Sequence, residues 1–257
     1  MEILGIGPWQ HIALLLAAAF VAGALNAVAG GGSFLTLPAL VFTGVPPVVA
    51  NATGTVALLP GYMAGAWGFK DDMAPPPGLS LRQVVVLSLV GGSAGAALLL
   101  FTPDATFRKV VPWLLLAATA LFAFGPQLRA WAAGKNAEHA VPSVAKAALG
   151  MLAVAIYGGY FNGGLGILLL ALFGLLGQTQ LNAMNGMKNL VSALLTAIAV
   201  VIYAVGGIVE WPQALLMMVA ATAGGYGGAR VARKIPPHLL RWGIVATGLV
   251  MAGLFFA

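Results

Sequence analysis

Two glycine clusters, each followed by an asparagine-containing segment, bring together residue types that could bind an anion. Gly32 and Asn51 are 19 residues apart, and so are Gly166 and Asn185. A helix that breaks at glycine and restarts inside a membrane leaves backbone N–H groups and the positive end of its dipole free for a negative ligand. We therefore predict one central substrate site. Its candidate residues are Asn26, Gly30, Gly31, Gly32, Ser33, Asn51, Thr53, Thr55, Asn162, Gly163, Gly164, Asn185, Lys188 and Asn189.

Ser33 has a separate expected role as the N-cap of a short helix that begins at Phe34, because serine hydroxyls accept from the first free N–H groups of a helix. Asparagine and threonine side chains can donate to or accept from a bound oxyanion. For any single residue of this set the alternative is structural, since glycines also serve close helix packing and Asn or Thr also bridge helices.

Lys188 is the sharpest single candidate, because it lies inside an apolar segment and the acidic residues all belong to loops or to the terminus. A charge near the centre of a bilayer costs about 2.5–3.5 kcal/mol on insertion scales, so an unpaired lysine needs a compensating partner. A substrate anion would supply it. The alternative is that Lys188 snorkels to the interface or binds carbonyls at a helix end.

The elements that must position these residues are membrane helices. Of the 257 residues, 61% are hydrophobic and 7% charged, whereas soluble domains average about 25% charged residues. Apolar runs bounded by polar residues or by Pro and Gly predict membrane spans near 11–29, 48–68, 82–101, 107–124, 144–161, 182–205, 212–231 and 239–256. Two further apolar pieces, near 33–43 and 166–176, are too short to cross a bilayer and are expected to be half-helices.

The two halves of the chain resemble each other, which predicts an internal duplication. Gly91 to Pro103 and Gly224 to Pro236 both span 12 residues, and the glycine-rich patterns that open them are alike. We expect an all-α membrane protein with one domain over residues 1–257. It would consist of two parallel four-helix repeats, about 11–124 and about 144–256, joined by a loop over 125–143.

The charges of the loops give an expected orientation. In a parallel repeat, both termini lie on the same side of the membrane as the loops near 70–82, 125–146 and 206–211. On the other side, Lys and Arg are concentrated in two loops, around 108 and 230–241. Because basic loops stay in the cytoplasm, both termini are expected in the periplasm.

Several classes of function are excluded by composition. The chain has no cysteine, and its 3 histidines show no metal-ligand spacing, so no metal or cofactor is expected. Gly91-Gly92-Ser93-Ala94-Gly95 fits a nucleophile motif without a preceding strand or a histidine–acid pair, so we expect no enzyme. All of the net charge of +6 except that of Lys188 comes from loop residues that set orientation, which makes nucleic acid an unexpected partner.

The order of these motifs is similar to that of the sulfite exporter TauE/SafE family, also called toluene sulfonate uptake permeases. The resemblance rests on Asn26 before Gly30-Gly31-Gly32, on Ala52-Thr53-Gly54-Thr55, and on Asn185-Gly186-Met187-Lys188-Asn189. It implies a transporter in the bacterial inner membrane that exports sulfur-containing anions such as sulfite or organosulfonates. An anion channel and a transporter of another small organic anion are the alternatives. The expected partners are a small anion and the lipid bilayer, and homo-oligomerisation stays open.

Overall fold

The computed structural model describes residues 8–28, 31–135, 143–228 and 237–256, and these residues form ten helices and no strand. The helices are α1 (Pro8–Val28), α2 (Ser33–Phe42), α3 (Pro47–Gly68), α4 (Leu81–Leu100), α5 (Asp104–Lys135), α6 (Val144–Tyr160), α7 (Leu165–Leu175), α8 (Leu181–Val205), α9 (Trp211–Ala223) and α10 (Pro237–Phe256). A 3₁₀ turn covers Lys70–Asp72, and a π-helical turn, Gly224–Gly228, continues α9.

The two half-helices predicted near 33–43 and 166–176 are present as α2 and α7, with 10 and 11 residues. Among the described residues, α1, α4 and α8 contain segments long and apolar enough to cross a membrane, namely Trp9–Asn26, Leu81–Leu100 and Leu181–Val205. Together with the overall composition, these helices make the chain a multi-pass membrane protein.

Local sequence explains where two of the long helices begin. At α4, the Ser80 side chain accepts from Gln83 N at 3.3 Å, while Gln83 Oε1 accepts from Ser80 N at 2.8 Å, which is a capping box. At α3, Pro47 occupies the first turn, and Val48 N donates to Asp104 Oδ1 at 3.0 Å. A carboxylate from the start of α5 therefore satisfies the N-terminus of α3.

Two groups of turns define the opposite ends of the bundle. End I contains residues 43–46, 101–104 and 206–210, since Asp104 meets the start of α3 and the Glu210 N–H donates to Thr53 Oγ1 at 3.1 Å. End II contains residues 69–80 and 176–180, where Gln178 Nε2 donates to the Ala74 carbonyl at 2.7 Å.

Each half of the chain opens with a hairpin whose tip lies inside the bundle. In the first, α2 folds back along α1: a Cβ added to Gly32 would lie 3.0 Å from the Ala22 carbonyl oxygen, and Phe42 returns to the level of Leu14 near end I. In the second, α7 folds back along α6, since a Cβ on Gly158 would meet Leu165 at 2.7 Å and one on Gly150 would meet Leu172 at 2.9 Å. This second hairpin returns to end II.

The expectation of parallel repeats is wrong, because matching helices of the two halves run in opposite directions. In α3 and α8, which carry the matching Asn51 and Asn185, a Cβ on Gly65 would lie 2.6 Å from Asn189 Nδ2, and one on Gly186 would lie 3.1 Å from Phe69 Cβ. The end of α8 instead reaches Leu100 at end I. The loop at 206–211 therefore does not share an end with the loop at 70–82.

Glycines allow the first helix of each hairpin to pack directly on a helix of the same bundle. A Cβ on Gly95 of α4 would collide with the Ile156 carbonyl oxygen of α6, and one on Gly224, which follows α9, would collide with the Phe20 carbonyl oxygen of α1. The two glycine-rich patterns that suggested a duplication thus make equivalent contacts in the two halves.

Candidate functional site

Tyr62 is the point at which the two helix hairpins meet. Its hydroxyl donates to Asn162 Oδ1 at 3.2 Å, and Asn26 lies within hydrogen-bonding reach of the same hydroxyl. Asn26 belongs to the last turns of α1, and Asn162 lies in the break between α6 and α7. All three side chains are buried. One side chain of α3 therefore joins the breaks that the sequence singled out separately.

The break before α7 has a backbone conformation that depends on its residue types. Asn162 has φ +58° and Gly164 has φ +70°, both in the left-handed region that asparagine and glycine enter most readily. The Tyr157 hydroxyl donates to the Gly163 carbonyl at 2.5 Å and holds the turn. The N-terminus of α7 consequently begins inside the bundle, beside Asn162.

The break before α2 corrects one expectation. Ser33 is the first residue of α2, not its N-cap: Gly32 occupies the cap position with φ −58° and ψ −36°, and no side chain caps the helix there. Because Gly32 already has helical φ and ψ angles, Ser33 lies within the first turn of α2, and its hydroxyl does not accept from the free N–H groups of that turn. Its Oγ is buried and makes no hydrogen bond with the described residues. Gly31 and Gly32 are buried as well, whereas Gly30 lies outside the described residues.

Lys188 is buried in α8, with 2% of its surface exposed. Within the part of the chain that the structure describes, its ammonium makes no hydrogen bond and no ion pair, and the four described acidic residues are all exposed near the ends of the bundle. Asn189, which is 9% exposed, packs against Gly65 of α3, while Asn185 is half-buried one turn earlier in α8. The snorkelling alternative for Lys188 does not fit this burial.

Ser192 and Thr196 continue from Lys188 along α8 at intervals of four residues, and both are buried. Because α3 and α8 are antiparallel with Asn189 opposite Gly65, Ser192 lies at about the level of Tyr62. A run of polar groups therefore leads from Lys188 to the meeting point of the hairpins. Six buried atoms on these elements lack a hydrogen-bond partner among the described residues: Asn26 Oδ1, Ser33 Oγ, Thr36 Oγ1, Asn162 Nδ2, Ser192 Oγ and Thr196 Oγ1.

Three of the predicted site residues already use their polar groups in hydrogen bonds within the protein, two of them between elements and one within α3. Asn51 Nδ2 donates to the Tyr160 carbonyl at 3.0 Å, and Thr55 Oγ1 donates to the Asn51 carbonyl at 2.8 Å. Thr53 Oγ1 accepts from the Glu210 N–H near end I. These contacts match the structural alternative for the three residues.

Tyr62, Thr36, Ser192 and Thr196 are residues that sequence reasoning missed. A lone tyrosine in an apolar span is indistinguishable from a packing residue unless its partner across the bundle is known. The serine and threonine of α8 gave a weak signal, since they follow Lys188 at helical spacing.

Comparison with known proteins adds the family. The model of the family described as "Sulfite exporter TauE/SafE" matches residues 15–255, which is nearly the whole chain. The chain belongs to this family. The match covers both hairpins and the helices that follow each of them, so the resemblance noted in the sequence is confirmed.

Curated relatives carry names that state a general role. A "Probable membrane transporter protein" of Haemophilus influenzae is 29% identical, with 93% of this chain and 92% of the relative covered. "Probable membrane transporter protein ORF9" of a Sinorhizobium species is 26% identical over 94% of this chain and 90% of the relative. "Probable membrane transporter protein YfcA" of Escherichia coli K12 is 24% identical over 94% of this chain and 88% of the relative. No solved structure matches the chain. Family and relatives together make this chain a membrane transporter with a small-molecule substrate.

Proposed function

We propose that this protein is a secondary transporter that exports sulfur-containing anions, such as sulfite or organosulfonates, across the bacterial inner membrane. The anion binds near the middle of the bundle, between the hairpin formed by α1 and α2 and the hairpin formed by α6 and α7. The family description supports the substrate class and the direction. Rocking of one half against the other would expose this site alternately to the two ends.

The observation that carries the proposal is Lys188, a buried ammonium without an ionic partner among the described residues. A charge in this position is costly unless an anion offsets it. In a transporter of this family, we infer that the anion which offsets the charge of Lys188 is the substrate. Lys188 therefore supplies charge, and its position one helical turn from the level of Tyr62 keeps that charge close to the two breaks.

The other groups supply direction and shape. Two unpartnered donors at the hairpin breaks, Ser33 Oγ and Asn162 Nδ2, can bond to anion oxygens, while the unpartnered Asn26 Oδ1 is an acceptor to which a protonated anion can donate. Backbone N–H groups at Gly31–Ser33 and at Gly164 would add donors from two helix N-termini. Asn185 and Asn189 extend the site along α8. Asn51 and Thr53 position α3 against its neighbours, Thr55 bonds within α3, and none of the three touches the anion.

A transport assay with three variants tests the role of Lys188. In proteoliposomes loaded with radiolabelled sulfite, Lys188→Ala should abolish efflux, and Lys188→Arg should retain part of it because the charge remains. Arg82→Gln, an exposed residue at end II, removes the same charge elsewhere and should leave efflux unchanged. Full efflux by folded Lys188→Ala would refute the assignment.

Ligand binding identifies the substrate independently of transport. A ligand present at about 100 times its Kd stabilises the folded protein by about 2.7 kcal/mol. We expect sulfite, thiosulfate or sulfoacetate to raise the melting temperature of the purified protein, and chloride and zwitterionic taurine to have little effect. Lys188→Ala should remove the increase. Efflux that rises linearly with sulfite concentration would instead indicate a channel.

The orientation of the protein follows from the directions of its helices. Among the described residues, the segments at end II contain six basic and two acidic residues: Lys70, Arg82, Arg129, Lys135, Lys146 and Arg241, against Asp71 and Asp72. End I contains, among the described residues, two basic residues, Arg108 and Lys109, against Asp104 and Glu210. Basic segments favour the cytoplasm, so we assign end II to it. The start of α1 and the end of α10, both at end I, then face the periplasm.

A further inference from the structure

A crevice on the outer surface of the bundle opens beside α2, on the side away from the anion site. Its volume is about 950 Å³, which lies at the upper end of the range of about 300–1,000 Å³ typical of small-molecule pockets. Leu14 of α1, Pro38 and Phe42 of α2, Trp113 of α5 and Leu254 of α10 form its walls. The walls are almost entirely apolar.

Two cations stand at the end I side of this crevice. Arg108 and Lys109 belong to the second turn of α5, line the crevice, and are exposed. Neither makes an ion pair within the described part of the chain. The nearest acidic residue in sequence, Asp104, is engaged by the Val48 N–H at the start of α3. The crevice therefore combines an apolar interior with an uncompensated positive rim.

We propose that this crevice binds an anionic phospholipid. Acyl chains match the apolar walls, the phosphate of the headgroup matches Arg108 and Lys109, and the exposed indole of Trp113 lies where aromatic residues mark the membrane interface. The lipid would pack directly against α2, whose opposite side contains Ser33 and Thr36. This site is separate from the proposed anion site and does not depend on the identity of the transported substrate.

Native mass spectrometry of the purified protein tests the proposal, with phosphatidylglycerol as the probe and phosphatidylcholine as its neutral counterpart. We expect the wild type to bind phosphatidylglycerol more tightly than phosphatidylcholine. The double variant Arg108→Gln/Lys109→Gln should lose about 25-fold in affinity for phosphatidylglycerol, because each basic residue near an anionic lipid contributes a factor of about five. The matched variant Lys70→Gln/Arg82→Gln removes two charges at end II and should keep the wild-type affinity.

A second variant tests the apolar part of the site without changing any charge. Ala18 lines the crevice from α1, so Ala18→Phe fills space that acyl chains would occupy. We expect it to weaken binding of both lipids while the melting temperature stays near that of the wild type.

Three results would overturn the proposal. The first is equal binding of the two lipids by the wild type. The second is full competition by glycerol 3-phosphate, which would mean that only a phosphate is recognised. The third is a dimer whose formation Ala18→Phe abolishes, which would assign the crevice to a second copy of the chain.

Discussion

At the scale of single residues, removal of the Tyr62 hydroxyl tests whether this residue contributes to the anion site or only to the stability of the fold. Tyr62→Phe removes the donor to Asn162 Oδ1 and leaves a buried amide oxygen unpaired, which costs about 1–3 kcal/mol of stability. We expect sulfite binding to weaken as well, since Asn162 loses the contact that orients it. Thermal unfolding with and without sulfite measures both effects.

Tyr203→Phe is the matched control for that experiment. The Tyr203 hydroxyl is also buried and donates to the Gly159 carbonyl at 2.5 Å, so its removal costs stability in the same way. It lies outside the proposed set of anion-binding groups. An equal loss of sulfite affinity in both variants would mean that Tyr62 acts only through the fold.

Lys188 and Tyr62 also show what sequence can predict at this scale. A lysine among apolar residues is anomalous in any arrangement of the helices, so the sequence singles out Lys188, but only the structure distinguishes burial from snorkelling. A tyrosine is anomalous only when its hydroxyl has no hydrogen-bond partner, and the partner of Tyr62 is Asn162, 100 residues away in the sequence. Contacts across the bundle cannot be read from local spacing.

At the scale of helices, close packing of α4 on α6 depends on Gly95. A Cβ there would collide with the Ile156 carbonyl oxygen and lie 2.7 Å from Tyr160 N, and backbone atoms cannot move aside cheaply. We expect Gly95→Ala to lower stability by about 1–3 kcal/mol through overpacking. A fall in melting temperature measures it.

Gly253→Ala in α10 provides the comparison for this prediction. Nothing lies within 4 Å of a Cβ at Gly253, so alanine there should gain up to about 1 kcal/mol from its higher helix propensity. Opposite signs for the two substitutions would tie the loss at Gly95 to the contact between helices. A similar loss at both positions would argue against that explanation.

Most helix positions were predictable because apolar length and the placing of glycine and proline are local properties; the exception is α5, which continues to Lys135 through part of the predicted loop over 125–143. The directions of the helices were not. The break at residues 29–32 is compatible with a chain that continues across the membrane or folds back, and the apolar pattern of α2 is the same in both cases. Folding back returns α2 to end I, from which α3 runs to end II, α4 back to end I and α5 again to end II. The second half therefore starts at the end opposite to the first, which inverts it.

At the scale of the whole molecule, this inversion changes what the two halves can do. In a parallel repeat, both halves would turn the same end towards a given side of the membrane. Inverted halves turn opposite ends towards that side, so in the proposed rocking mechanism a motion that opens the proposed site towards end I would have a counterpart that opens it towards end II. The hairpins lie at the centre of that exchange, since one returns to end I and the other to end II. Tyr62 connects their breaks.

Single-cysteine labelling tests both the inversion and the orientation, because the chain has no cysteine of its own. Arg108→Cys and Glu210→Cys place a thiol at end I, whereas Asp72→Cys and Thr179→Cys place one at end II, all at exposed positions. With a membrane-impermeant maleimide, we expect labelling of the first pair in intact cells and of the second pair only after lysis. The opposite result would reverse the orientation and keep the inversion. Labelling of positions 72 and 210 from the same side would contradict the inversion itself, since only parallel repeats put those two loops together.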